Sequence, residues 1–175
     1  MKKNIIFVLL SFFSLISFRA IAQKESKTFS AGFGIEAGVP TGALSDVYSF
    51  TGGLTIRGSY HVGPGFVTLT TGAIGYAPKN VVGVTKKAGL EIPVRAGYKY
   101  IIQHHLFVMG ELGYASFRSY IGQHGDIVQS NTQGSFIGAP SVGAQWNAFE
   151  VSLRYGINFT NSDGGDLALR IGFNF

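Results

Sequence analysis

Along most of this chain apolar and polar residues alternate, and the charged residues obey the alternation. Near the C-terminus Phe149, Val151, Leu153, Tyr155, Ile157 and Phe159 share one parity, while Glu150, Ser152, Arg154, Gly156 and Asn158 share the other. Beyond 160–166 the pattern resumes, with Leu167, Leu169, Ile171, Phe173 and Phe175 set against Ala168, Arg170, Gly172 and Asn174. A period of two residues belongs to a β-strand whose faces meet different surroundings. The same pattern marks Phe29–Ala37, Leu54–Val62, Leu90–Lys99, Leu106–Tyr114 and Ser141–Trp146, although Phe107 and Met109 fall on the polar parity. Phe66–Tyr76 alternates poorly and is assigned as a strand on its Val, Thr and Ile content.

The connections differ in length. Short ones lie at Gly63-Pro64-Gly65, around Gln103 and at Asn147-Ala148, and longer ones at 39–49, 77–87, 118–133 and 160–166. The chain is therefore expected to be all-β: a closed antiparallel transmembrane β-barrel of about eight strands, with short periplasmic turns and longer extracellular loops. An even number of strands puts both termini on the short-turn, periplasmic side.

Alternation alone does not say which face looks outward; the charges do. Glu36, Arg57, Glu91, Arg95, Glu111, Glu150, Arg154 and Arg170 lie within expected strands on the polar parity, whereas Asp46, Asp126, Asp163 and Asp166 fall in expected connections. Charged residues make up 13% of the chain, against about 25% for an average soluble domain. So few charges cannot clothe a wet exterior, and the polar face is expected to line the lumen. Glycine often follows a charge two residues later on the same face, as in Glu36/Gly38, Arg95/Gly97, Glu111/Gly113, Arg154/Gly156 and Arg170/Gly172. That spacing suits a crowded concave space, where a bare backbone makes room for a long neighbour.

Charges inside a barrel must pair, because an unpaired buried ion costs several kcal/mol. Arg95 and Glu111 are nearly equidistant from the turn at Gln103 and are expected to be cross-strand neighbours, as are Gln145 and Glu150 about Asn147-Ala148. Arg154 and Arg170 are expected to face each other across the last hairpin, with Glu36 neutralising both. On the apolar face Tyr60, Phe66, Tyr98, Tyr100, Trp146, Phe149, Phe173 and Phe175 gather near the short-turn rim, and Phe50, Tyr76, Tyr114 and Phe159 near the other. Tyr60, Tyr98, Tyr100, Trp146, Phe149 and Phe173 are the expected aromatic belt, since such rings favour the bilayer interface. Pro93 and Pro140 inside strands of a closed barrel imply a missing ladder bond or a bulge.

The N-terminus carries an address. Lys2 and Lys3 precede an apolar run over 4–18, and Ala20-Ile21-Ala22 is a small-x-small site. This pattern is a secretory signal peptide, cut after Ala22 and leaving 23–175 as the barrel domain. Its removal takes Lys2, Lys3 and Arg19, leaving 11 basic residues against 9 acids and a net charge of +2 rather than +5. A balance so near neutral shows no basic stripe, and no nucleic acid is expected as a partner. The chain has no cysteine, which excludes disulfides, thiolate metal sites and lipid attachment at a cysteine.

Several segments resemble the PorT-like outer-membrane β-barrel proteins, small barrels of Gram-negative envelopes. They are Gly38-Val39-Pro40-Thr41-Gly42, Leu90-Glu91-Ile92-Pro93-Val94 leading to Gly97-Tyr98, Glu111-Leu112-Gly113-Tyr114 and Leu153-Arg154-Tyr155-Gly156. The terminal Gly172-Phe173-Asn174-Phe175 resembles the aromatic-ended strand read by the barrel-assembly machinery, with Phe175 as the signal. The resemblance implies an outer-membrane location and supplies no catalytic residue.

The expected role is non-enzymatic: an integral outer-membrane barrel with a side-chain-plugged interior, surrounded by outer-membrane lipid and meeting an extracellular or envelope protein partner through its loops. Eight strands leave an interior only wide enough for side chains, so a pore is not expected. No cofactor, metal or catalytic residue is assigned. Two alternatives come from other classes. A lipid-modifying outer-membrane enzyme would need a His with a Ser or an acid. His104 and His105 are adjacent and point to opposite faces, while His124 lies in a long connection near Asp126 and Ser130. An exported soluble barrel binding an apolar ligand would need the reverse sidedness.

Overall fold

The computed structural model describes residues 28–79, 87–123, 126–160 and 164–175. The expected signal segment lies outside them. The described chain forms β1 (Phe29–Gly42), a single helical turn α1 (Leu44–Val47), β2 (Tyr48–Val62), β3 (Gly65–Pro78), β4 (Lys87–Ile101), β5 (Leu106–Gln123), β6 (Asp126–Trp146), β7 (Phe149–Asn158) and β8 (Gly164–Asn174). Each strand pairs antiparallel with its sequence neighbours, and β8 returns to β1, so the sheet closes into an eight-stranded barrel. No helix among the described residues is long and apolar enough to cross a membrane.

Local chemistry sets the short rim. Gly63 turns between β2 and β3 at φ 59°, and Asn147 turns between β6 and β7 at φ 51°. Both are left-handed positions, open to glycine and tolerated by Asn. The β4–β5 turn closes with Ile102 N–H donating to Leu106 O at 2.9 Å. At the opposite rim the strands run further than the sequence suggests. β5 and β6 form a hairpin reaching Gln123 and Asp126, so most of the expected 118–133 loop is paired strand, with a bulge at Ser119/Tyr120. β8 likewise begins at Gly164 and takes Asp166 out of the expected connection.

Sidedness is unambiguous. Glu36, Arg57, Arg95, Glu111, Glu150, Arg154 and Arg170 are buried in the lumen, whereas Leu54, Leu69, Leu112, Val142 and Leu153 stand on the outer wall. Such an interior is the reverse of a soluble barrel built around an apolar ligand. The poor alternation of β3 has a local cause: its inward residues are Thr68, Thr70, Ile74 and Tyr76, polar at one end and apolar at the other. Tyr76, expected on the outer face, is 4% exposed and packs inside against Tyr48 and Phe117. Phe66 shares that inward parity. Phe107 and Met109 also point inward, where Phe107 lies beneath the Lys99 ammonium, 4.7 Å from Nζ to the ring centre.

The prolines interrupt the wall. The β3–β4 ladder skips from Thr71↔Val94 to Ile74↔Glu91 across Pro93. The β6–β7 ladder skips from Gly138↔Ile157 to Ser141↔Arg154 across Pro140. Neither proline has an N–H to donate. On the β3 side, Thr71 Oγ1 donates to Pro93 O at 2.9 Å in place of the missing ladder. The β6–β7 interruption opens an outward cleft lined by Pro140, Val142, Leu153 and Tyr155.

Candidate functional site: the charged lumen

Glu150 is the hub of the lumen. Its carboxylate accepts from Arg57 Nη1 at 2.6 Å, Lys99 Nζ at 2.8 Å and Arg170 Nη1 at 2.8 Å. β7 supplies Glu150 while β2, β4 and β8 supply the cations, so four strands converge on one side chain. Lys99 Nζ also donates to Gln145 Oε1 at 2.6 Å. Glu111 lies 3.8 Å from both Arg57 and Arg95 and accepts from Thr70 Oγ1 at 2.5 Å. Glu36 lies 3.1 Å from Arg154, 3.5 Å from Arg95 and 3.9 Å from Arg170. Arg154 in turn grips Asp166 bidentately at 3.1 and 2.6 Å. A planar guanidinium matches a carboxylate in this way, adding direction to the attraction.

Glu91 stands apart from this web. It accepts from the Tyr76 hydroxyl at 2.8 Å. With it, the inward acids are Glu36, Glu91, Glu111, Glu150 and Asp166, and the inward cations are Arg57, Arg95, Lys99, Arg154 and Arg170; the described lumen is formally neutral.

The register differs from the expected pairing in two places. Arg95 stands opposite Gly113, and Glu111 opposite Gly97, so this pair meets diagonally rather than directly. Arg154 stands opposite Ala168, and Arg170 opposite Ser152. The two arginines do not face each other, and the offset spares a direct like-charge contact. Gln145 and Glu150 are direct partners. Lys99 and Asp166 are part of the lumen although neither was singled out from the sequence. Lys99 already lies within its expected strand at the parity of Arg95, and Asp166 has the parity of Arg170, one residue before the expected start of the last strand.

Two glycines shape the seam. Gly34 and Gly172 are register partners across β1–β8. A Cβ on Gly34 would meet Arg170 Cζ at 2.6 Å, and one on Gly172 would meet Arg170 Nη1 at 2.5 Å. The Arg170 guanidinium lies over bare backbone that only glycine leaves clear.

On the outer wall Tyr60, Tyr98, Tyr100, Trp146 and Phe173 are exposed and Phe149 is half-buried, all near the short-turn rim. Trp146, Phe149, Phe173 and Phe33 form a chain of ring contacts, with centroids 6.4, 5.5 and 6.0 Å apart. Phe175 is held through its backbone, its N–H donating to Ala31 O at 2.8 Å, while the residue is 66% exposed. His61, His104 and His105 are exposed at the short-turn rim. His124 and the side chains of Asp126 and Ser130 lie outside the described residues. Among the described residues no group of His, Cys, Asp or Glu is placed to hold a metal ion.

Closed antiparallel wall, apolar exterior and ionic lumen together define the small outer-membrane barrel fold. Solved structures carry the same likeness. Ail, the attachment invasion locus protein of Yersinia pestis, superposes with a TM-score of 0.61 at 15% identity, over 84% of this chain and 97% of that one. Neisserial surface protein A superposes with a TM-score of 0.63 at 13% identity, over 85% and 97%. A transmembrane barrel designed de novo superposes with a TM-score of 0.50 at 14% identity, over 83% and 95%. No protein-family model and no curated protein matches the sequence. At these identities the likeness is one of fold, and function must come from the side chains.

Proposed function

We propose that this chain is a non-enzymatic integral protein of the bacterial outer membrane, a barrel plugged by its own ion pairs that presents its longer-loop rim to an extracellular or envelope protein partner. The observation that carries the reading is the sidedness: large apolar side chains cover the wall while the charges pair inside. In water that wall would be a very large apolar patch, well beyond what a soluble monomer displays. In lipid it is the required surface, and the closed ladder satisfies the backbone.

Export by the signal segment over 1–22, recognition of Phe175 by the assembly machinery, periplasmic termini and a PorT-like kinship belong to the same reading. The rings of Tyr60, Tyr98, Tyr100, Trp146, Phe149 and Phe173 form its interfacial belt. The names of Ail and Neisserial surface protein A speak of attachment and of the cell surface, which fits loops as the working part.

The test is twofold. Cell fractionation should recover the protein with the outer membrane, extractable by detergent alone. In planar bilayers the purified protein should give no steady conductance, whereas R57A/R95A/R170A should leak ions. Recovery in the soluble periplasm, or a stable open channel in the unaltered protein, would overturn the proposal.

A further inference from the structure

We propose that the loop-side mouth of the barrel binds a small organic ammonium ion, held by the Glu91 carboxylate and the aromatic wall above it. Beyond the ion-pair layer the lumen widens into a cavity of about 340 Å3, lined by Leu44, Tyr48, Glu91, Ala115, Phe117 and Ser135 among others. A turn of helix roofs one side of it: α1 contributes Leu44, which packs toward Tyr48 and Tyr76. The Arg154–Asp166 pair borders the narrow space between this cavity and the ionic web.

Glu91 distinguishes the cavity from a mere void. Each of the other inward acids pairs with at least one cation, whereas Glu91 is in none of the ion pairs formed by the described side chains. Its one hydrogen bond among the described side chains comes from the Tyr76 hydroxyl, which engages one carboxylate oxygen, and Arg154 and Arg95 act on it only from longer range. A carboxylate at the bottom of a low-dielectric recess focuses a negative potential into the opening. The walls add a second attraction for the same ligand. Tyr48 and Phe117 line the cavity, and with Tyr76 behind them they form a mutually edge-on trio, with centroids 5.4, 5.1 and 6.0 Å apart. Aromatic faces near a carboxylate attract ammonium groups through their quadrupoles.

Other ligand classes fit less well. A hard metal ion requires several oxygen ligands, and the site offers one carboxylate. An anion meets Glu91 directly. A neutral apolar molecule would strip water from the carboxylate without giving it a hydrogen-bonding or charged partner in return. A compact organic cation with methyl or methylene groups satisfies both the acid and the rings.

Choline and its uncharged isostere 3,3-dimethylbutan-1-ol are suitable probes, titrated calorimetrically into the full barrel domain in a maltoside detergent. The unaltered protein should bind choline at least about tenfold more tightly than the isostere. E91Q should abolish that preference by weakening choline alone, and A115W, which fills the cavity, should remove binding of both. Folding of each variant is read from the mobility of unboiled samples on gels. Equal affinities for the two probes, absence of saturable choline binding at millimolar concentrations, or unaltered choline binding in folded E91Q would each overturn the proposal. The comparison in the unaltered protein decides the matter even if a variant does not fold.

Discussion

Glu36 of the first strand stands directly opposite Arg170 of the last, their charged groups 3.9 Å apart at the seam where the barrel closes. Arg170 continues to Glu150 at 2.8 Å, and Glu150 binds Arg57 and Lys99 from the far side of the lumen. Removing this hub strands several cations at once. E150Q should lower the unfolding free energy by about 3–5 kcal/mol, the usual cost of breaking a buried pair. Urea unfolding in lipid vesicles, followed by Trp146 fluorescence, measures it; a loss below about 1 kcal/mol would show the lumen to be wet enough to screen its charges.

Replacing a whole pair should behave differently. The double variant R154M/D166L removes the bidentate contact without orphaning either partner of it. The deletion of both charges is expected to cost much less than R154M or D166L alone, because desolvation of the pair offsets most of its attraction. A double-mutant cycle supplies the coupling. Glu36 retains Arg95 and Arg170 in every arm.

The seam glycine offers a steric test. G172V should destabilise by about 1–3 kcal/mol, because its side chain must displace the Arg170 guanidinium. In an R170A background the same change should cost clearly less. Equal costs in both backgrounds would mean that the backbone, and not Arg170, demands glycine there.

Outside, the wall should resist charge. L153R, near the middle of β7, should cost about 2–4 kcal/mol in lipid, as expected for arginine at the bilayer midplane. F175A should change unfolding in vitro by less than about 0.5 kcal/mol, since the residue is exposed, yet reduce the amount of assembled barrel in cells.

Much of this architecture was legible in the sequence because two physical rules coincide in it. Pleating fixes a period of two, and lipid tolerates almost no charge; wherever Arg or Glu sat inside an apolar alternation, its direction was set. Legibility ended where one rule lapsed. Tyr76 and Ile74 face a mouth that is itself apolar, so the two sides of β3 carry similar residues and the alternation blurs. Asp166 reads as the end of the 160–166 connection because the alternation resumes only at Leu167, although its carboxylate is tied to Arg154 from within β8. Register escaped for another reason. Counting outward from a turn assumes a hairpin of a given loop length, and the β4–β5 and β7–β8 hairpins each close offset from that count, moving Arg95 from Glu111 to Gly113 and Arg154 from Arg170 to Ala168.

The breaks at Pro93 and Pro140 divide the cylinder into two curved panels, β4–β6 and β7–β3, joined along imperfect hinges. Hydrogen bonding alone would let such a tube flatten under the lateral pressure of a bilayer. The ionic contacts run from panel to panel, Arg95 to Glu36, Lys99 to Glu150 and Glu111 to Arg57. They act as tie-rods, so the roundness of this barrel is set from within rather than by its staves.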